Sequence, residues 1–420
     1  MHMADALITP AVGMAMNAVS VAAIGASVAK VKKYELSEKI VPIMGVSGAL
    51  VFAGQMINFA IPATGASGHL GGGIMLAGLL GGVPAFLSLS AVLIIQCLFF
   101  ADGGLLALGC NIFNMGVIPC LLVYPLIFKP LLRVGTGYKR LSVASIASVV
   151  AGLEIGAFGV VLQTTFSGIT ELPFGTFMVL MLPIHLVIGL VEGIVTASVL
   201  CFVYKMRPDV IDSAQAGRRT EIVASVQEGR RTEVVDSAQT NILTEVVTST
   251  QTDKLVEIVA SAPAGRLGEA IASTPAEMGP EVVASAPAGR RHSEFSIKKL
   301  VITLAALTVV VAGVLSPFAS SRPDGLEWAI GKTTEQVLGA KTELEAKGGV
   351  FAGAASLQEN IALLPDYAIA SDPGNATGTP LSGIIGAAVS FALAALTGIV
   401  ITKVKKRRRV SPGAREPGGA

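Results

Sequence analysis

The chain has 420 residues, 52% of them hydrophobic and 14% charged, with a mean hydropathy of +0.68. A soluble globular domain carries about a quarter charged residues, so a soluble enzyme, a secreted disulfide scaffold and a disordered chain are all poor readings of this composition. Lys and Arg number 31 against 29 Asp and Glu; the total charge therefore says little about partners, and the positions of the charges carry more.

Membrane crossing takes about 20 mostly apolar residues. In chain order, apolar runs lie near residues 8–29, 40–60, 70–82, 84–101, 105–128, 141–165, 174–204, 297–317 and 381–402. Between Lys39 and Lys129 the only charged side chain is Asp102. The third run merges with the fourth through Gly81-Gly82-Val83-Pro84. The first is expected to be retained, because its positive charges follow the apolar stretch, the reverse of a signal peptide. Lys30, Lys32, Lys33 and Lys39 follow the first run, and Lys129, Arg133, Lys139 and Arg140 follow the fifth. Lys205 and Arg207 follow the seventh, Lys298 and Lys299 open the eighth, and Lys403 to Arg409 follow the ninth. Nine crossings with the N-terminus outside and the C-terminus inside place every cluster in the cytoplasm.

The expected fold is an all-α polytopic protein of the cell membrane. A seven-helix bundle would span 1–206 and a two-helix unit 294–409, with a low-complexity linker over 207–293 and a disordered tail over 410–420. The outer loop of the two-helix unit, 318–380, carries eight acidic and four basic residues; it reads either as a cation-attracting surface or as a plain solvated loop. Within the linker, Asp209, Glu221, Glu233, Glu245, Glu257, Glu269 and Glu281 mark a twelve-residue repeat. Its Gly-Arg-Arg and Ala-Pro-Ala-Gly punctuation matches no usual solenoid, and a flexible or partly helical cytoplasmic linker is the plainer reading.

Covalent catalysis finds no support, and the chain is not expected to be an enzyme. No Walker A pattern, nucleophile elbow or His-Glu-x-x-His occurs, and Cys97, Cys110, Cys120 and Cys201 form no Cys-x-x-Cys pair. Gly71-Gly72-Gly73 reads as a tight turn or close helix packing. His2 and His69 fall on the same predicted side. A terminal amine, a deprotonated backbone amide and the adjacent imidazole can chelate a metal in one plane, and a second imidazole can complete four nitrogen donors, a set that suits Ni(II) and Cu(II). An exposed terminus and an ordinary loop histidine are the alternative. Gln55, Asn58, Gln96, Asn111, Asn114 and Asp102 are polar residues in apolar surroundings, which mark a transport site or a packing network. His185 and Glu192 are seven apart on one helical face, either a packing pair or functional; Glu154 is open in the same way.

These residues resemble a family. Met1-His2-Met3-Ala4-Asp5, Gln55-Met56-Ile57-Asn58-Phe59, Ser67-Gly68-His69-Leu70-Gly71-Gly72, Asp102-Gly103-Gly104 and Gly109-Cys110-Asn111-Ile112-Phe113-Asn114-Met115 look like the membrane substrate-binding component of energy-coupling-factor cobalt/nickel transporters (CbiM/NikM), over roughly residues 1–206. Arg322-Pro323-Asp324-Gly325-Leu326-Glu327 is similar to the PDGLE segment of the small two-helix companion of these transporters, here fused. Ala6 departs from the family pattern, where many relatives have Gly.

The resemblance implies that the N-terminus folds back into the bundle and that Met1, His2 and His69 hold the transported Co2+ or Ni2+. Asn58, Asp102 and Asn111 would support the ligand geometry, and the turn from Thr64 through Ser67 would shape the pocket. His185 and Glu192 resemble the family's last core helix. It further implies a membrane coupling subunit and cytoplasmic ABC ATPase subunits as partners, no tightly bound cofactor and no nucleic acid, with the fused unit assisting metal loading or release. A proton-coupled secondary metal transporter, using Asp102, Glu154, His185 or Glu192 as a relay without ATPase partners, is the alternative. A scaffold that docks a cytoplasmic partner through the repeats is a third reading.

Overall fold

A computed structural model describes residues 1–34, 40–216, 296–339, 349–368 and 378–409. Beyond Ala216 the repeat array lies outside the described residues, as does the tail from 410 onward. Residues Met1–Gln215 and Ser293–Ala420 form one compact unit; Ala216–His292 is a separate unit.

The helices follow the apolar runs. They are α1 Pro10–Tyr34, α2 Ile40–Gln55, α3 Gly73–Leu80, α4 Gly82–Phe100, α5 Leu108–Leu131, α6 Tyr138–Phe166, α7 Phe174–Met206 and α8 Pro208–Ala216. After the array come α9 Ile297–Phe318, α10 Gly325–Leu338, α11 Gly349–Ile361 and α12 Gly378–Arg409. Two two-residue strands, β1 Phe59–Ala60 and β2 Ser67–Gly68, pair antiparallel and close a hairpin between α2 and α3.

Among the described residues, seven helices are long and apolar enough to cross a membrane: α1, α4, α5, α6, α7, α9 and the first 22 residues of α12. Two of the nine apolar runs read from the sequence are helical over only part of their length. The run at 40–60 is helical only to Gln55, and the run at 70–82 only from Gly73 to Leu80. Eight residues rise about 12 Å, well short of a hydrocarbon core of about 30 Å. The reason is the chain between them. Gly72 takes φ +76°, and a Cβ there would lie 2.5 Å from Val51 Cγ1. Gly72 is the left-handed residue at which α3 begins, and residues 56–72 are non-helical and include the β1–β2 hairpin. That loop carries His69.

α2, α3 and α4 are almost wholly buried, whereas α6 and α7 keep an apolar outer face that includes Val143, Val179, Leu190 and Ile194. Such exposed aliphatic faces suit contact with lipid. α6 and α7 share the most extensive helix pairing. In α5, Phe113–Phe128 winds as a π-helix containing Pro119 and Pro125; proline supplies no N–H to the regular ladder, and a wider turn is one way such a helix accommodates it.

The two C-terminal spanning helices dock on the bundle. α12 packs along α2, with Phe391 over Gly45, Ala394 over Gly48 and Gly386 directly against the Phe52 ring. α8 extends the bundle beyond the expected boundary at 206: Val210 and Ile211 are buried, and Tyr124 donates to the Ala214 carbonyl at 2.7 Å. The first repeat unit therefore begins inside a packed helix. The expected outer loop at 318–380 contains α10 and α11.

Candidate metal centre

Met1 to Ile8 form a strap laid into the bundle, with a 3-10 turn at Asp5–Leu7. The sequence supplies its anchors. Met3 N–H donates to Asn111 Oδ1 at 2.7 Å, and Asn111 Nδ2 returns a bond to the Met3 carbonyl at 3.2 Å. Gly104 N–H donates to the same carbonyl at 2.9 Å, and Ala107 N–H donates to the Asp5 carboxylate at 2.9 Å. Gly103 and Gly104 leave room for the strap; a Cβ on Gly104 would overlap Asp5. Asn114 pairs its amide with Gln163 at 2.8 and 3.2 Å beneath Met3. Of the polar residues noted in apolar runs, Asn111 and Asn114 thus fasten the terminus, which answers their burial.

This brings three groups together. The Met1 amine lies 2.6 Å from His69 Nε2, with Met1 only 7% exposed and His69 9%. The His2 and His69 rings stack at 5.2 Å between centroids. His69 Nδ1 faces its own chain, at 3.1 Å from the Leu70 carbonyl; donating there leaves the Nε2 lone pair toward the amine. His2 Nδ1 is 3.3 Å from Asp102 Oδ1, and Tyr367 donates to Asp102 Oδ2 at 2.5 Å. His2 Nε2 is buried with no hydrogen-bond partner among the described residues. Burial pushes the His2 imidazole down to about 4, against the raising effect of Asp102, so the ring is neutral at pH 7, the form that ligates metal. Among the described residues no three His, Cys, Asp or Glu side chains cluster for a metal; what meets at this point is two imidazoles and a main-chain amine.

Glu192 supports this loop from α7. Its carboxylate accepts Gly71 N–H at 2.9 Å and Gly72 N–H at 2.8 Å, while Gln55 donates to the Gly71 carbonyl at 3.0 Å. Glu192→Ala would leave two buried N–H groups without an acceptor, at a cost of about 1–3 kcal/mol each. The expected result is a lower thermal midpoint for the detergent-solubilised chain, with Glu192→Gln intermediate because one amide oxygen remains as acceptor. A midpoint unchanged in both variants would remove this support role. His185, one of whose nitrogens bonds to the Met181 carbonyl at 2.8 Å, lines a pocket with Met1, His69, Asn114, Glu192 and Asp324. Glu154 and Gln96 do not line it.

Thr64 Oγ1 braces its own turn, donating to the Ile61 carbonyl at 3.0 Å and accepting Ala66 N–H at 3.1 Å, and Asn58, Thr64 and Ser67 also make main-chain or hydroxyl contacts beyond the loop. They bind the C-terminal unit. Ser320 N–H donates to the Asn58 carbonyl at 2.7 Å and Trp328 Nε1 to the Thr64 carbonyl at 2.9 Å. Ser67 donates through N–H to the Pro323 carbonyl at 2.8 Å and through Oγ to the Arg322 carbonyl at 2.7 Å. Gln358 fastens the 101–104 turn through the Cys97 and Gly103 carbonyls at 2.9 and 2.7 Å. Asp324 reaches the centre itself: its Oδ2 accepts from the Met1 amine at 2.8 Å and lies 3.5 Å from His69 Nε2. Burial raises this carboxyl, but the terminal ammonium and His69 outweigh it and hold it well below the ordinary carboxylate range. Sequence reasoning missed Asp324, Gln358 and Tyr367 as site residues. The PDGLE motif was the one available signal, and it points to Asp324 alone.

Comparison with known proteins places both parts of the chain in a family. Residues 2–210 match the family model described as "Cobalt uptake substrate-specific transmembrane region" (CbiM), and residues 298–403 match the PDGLE domain. A putative fused nickel transport protein NikMN of Archaeoglobus fulgidus is 33% identical over 223 residues, covering 51% of this chain and 70% of the relative. A probable fused nickel transport protein LarMN of Lactiplantibacillus plantarum is 31% identical, covering 50% and 66%. A cobalt transport protein CbiM of Sorangium cellulosum is 30% identical, covering 42% and 79%. A crystal structure of a transition metal transporter, 28% identical, superposes with a TM-score of 0.43 over 49% of this chain and 93% of that one. With seven apolar helices long enough to span among the described residues and relatives named as transport proteins, the chain is a multi-pass membrane protein. It belongs to the CbiM family and carries a PDGLE domain in the same polypeptide.

Proposed function

We propose that the chain is the substrate-specific membrane component of an ATP-driven, energy-coupling-factor importer that captures Co2+ or Ni2+ from outside the cell. The observation that carries this is the meeting of the Met1 amine, His2 and His69 at one buried point, with 2.6 Å between amine and imidazole. The ion takes the amine nitrogen, the backbone and ring nitrogens of His2, and His69 Nε2. Asp102 and Asn111 hold the strap, and Glu192 holds the His69 loop. The Lys and Arg clusters support an outside N-terminus and a cytoplasmic C-terminus, with partner ATPase and coupling subunits supplying energy.

Equilibrium dialysis of the purified full chain against Co(II) and Ni(II) tests the site. His2→Ala and His69→Ala are each expected to lower affinity at least about 100-fold, since each removes a direct donor and loss of a mere outer partner costs about 10–100-fold. Unchanged affinity in both variants would overturn the assignment. Uptake by the chain alone in proteoliposomes, driven by a proton gradient and indifferent to ATP, would instead establish the secondary-transporter reading.

A further inference from the structure

Asp324 stands where a further donor to the captured ion would stand. Its Oδ2 is 2.8 Å from the Met1 amine and 3.5 Å from His69 Nε2, and those two nitrogens are 2.6 Å apart. Two donors bonded at about 2.0–2.1 Å to one ion, at a right angle, are about 2.9 Å apart. A triangle with edges of 2.6, 2.8 and 3.5 Å is therefore a face that one first-row dication can cap.

The carboxylate is also held in place. Its Oδ1 accepts Glu327 N–H at 2.9 Å and Asp324 N–H donates to Glu327 Oε2 at 3.0 Å, a capping box that opens α10 and leaves Oδ2 aimed at the amine. Gly325 sits flat against α7, where a Cβ would lie 2.6 Å from Ile188 Cδ1 and 3.3 Å from His185 Nε2. Ser67 ties the preceding Pro323 carbonyl to the His69 loop. Charge argues the same way. Asp324 is 15% exposed and its present counter-charge is the ammonium. When that nitrogen gives its lone pair to a dication, the carboxylate stays buried next to the ion, and buried charges persist when paired or coordinated.

We propose that Asp324 of the C-terminal unit is a direct oxygen donor to the captured ion, added to nitrogen donors from the N-terminal strap and the His69 loop. The inference rests on the reading that Met1, His2 and His69 hold the ion. An added carboxylate turns a planar four-nitrogen set, suited to Ni(II) and Cu(II), into a higher-coordinate mixed site. Asp324 is thereby a determinant of metal choice.

Co(II) titration of the full chain, read by ligand-field absorption and by equilibrium dialysis, tests it. Asp324→Asn keeps the helix cap, because Asn caps about as well as Asp. It is expected to shift the Co(II) bands and weaken binding at least about tenfold. Glu335→Gln, at an exposed carboxylate of α10 that pairs with Lys332, is expected to leave the bands as in the native chain. Asp324→Glu keeps the charge and displaces the oxygen; altered bands support the proposal and unaltered bands count against it. Native bands with affinity within about twofold in Asp324→Asn would overturn the proposal. If His69→Ala abolishes binding in that case, the nitrogen site stands without Asp324; if His69→Ala also binds normally, the nitrogen site itself is wrong.

Discussion

One residue added ahead of Met1 is expected to lower affinity for Co(II) and Ni(II) by about 100-fold or more, beyond the 10–100-fold attached to losing one outer partner. The extension converts the terminal amine into an amide and moves the free amine one residue away, so the amine that anchors the chelate beside the His2 amide and meets His69 is lost from this point. It also removes the positive charge that pairs with Asp324 at 2.8 Å. Room is short: Met1 is 7% exposed, and its terminal methyl lies 3.0 Å from where a Cβ on Gly156 of α6 would be. Dialysis of the extended chain, with mass spectrometry confirming that the residue is retained, measures the effect. Native affinity in that chain would show that the amine is not a ligand.

Gly109→Val is expected to destabilise the bundle by about 3 kcal/mol, at the upper end of ordinary overpacking. The reason is a backbone contact. A Cβ on Gly109 would run into the main chain of Met16 and Asn17 on α1, where no side chain can swing aside. Two bonds hold that crossing, Ser20 Oγ to the Gly109 carbonyl at 2.7 Å and Asn17 Nδ2 to the Leu106 carbonyl at 2.9 Å. Small residues at such crossings let helices in a membrane approach closely. Because the strap runs straight into α1, the variant should also bind metal more weakly. Thermal midpoints and the yield of monodisperse chain in detergent read the effect. Gly25→Ala, with nothing within 4 Å of its Cβ, is the control and should match the native chain or slightly exceed it. Equal midpoints for Gly109→Val and Gly25→Ala would refute the contact.

Hydropathy alone located the spanning helices, since a run such as 174–204 has no soluble alternative and α7 covers it as Phe174–Met206. At 70–82 the helix is shorter than the apolar run, because hydropathy averages apolar content and does not register the left-handed Gly72 that precedes α3. His2 and His69 were legible as candidates, being two of only four histidines and on one predicted side. The partners of Glu192 were not. A carboxylate in an apolar helix signals a buried acceptor, but which N–H groups it meets depends on how α7 sits against the loop at 71–72.

What the sequence determined by itself is the local physics: where apolar length suffices to span, where positive charge gathers, and which residue types can bind a late first-row metal. Only the tertiary structure decided which residues of the C-terminal unit meet the N-terminal strap and the 101–104 turn. Asp324 is 323 residues from Met1 along the chain, yet 2.8 Å from its amine. Tyr367 likewise reaches Asp102, and Gln358 reaches the Gly103 carbonyl. Those contacts follow from α12 packing on α2 through Gly45, Gly48 and Gly386. Complementarity between two helix faces is a property of both surfaces together, and neither run of sequence carries it alone.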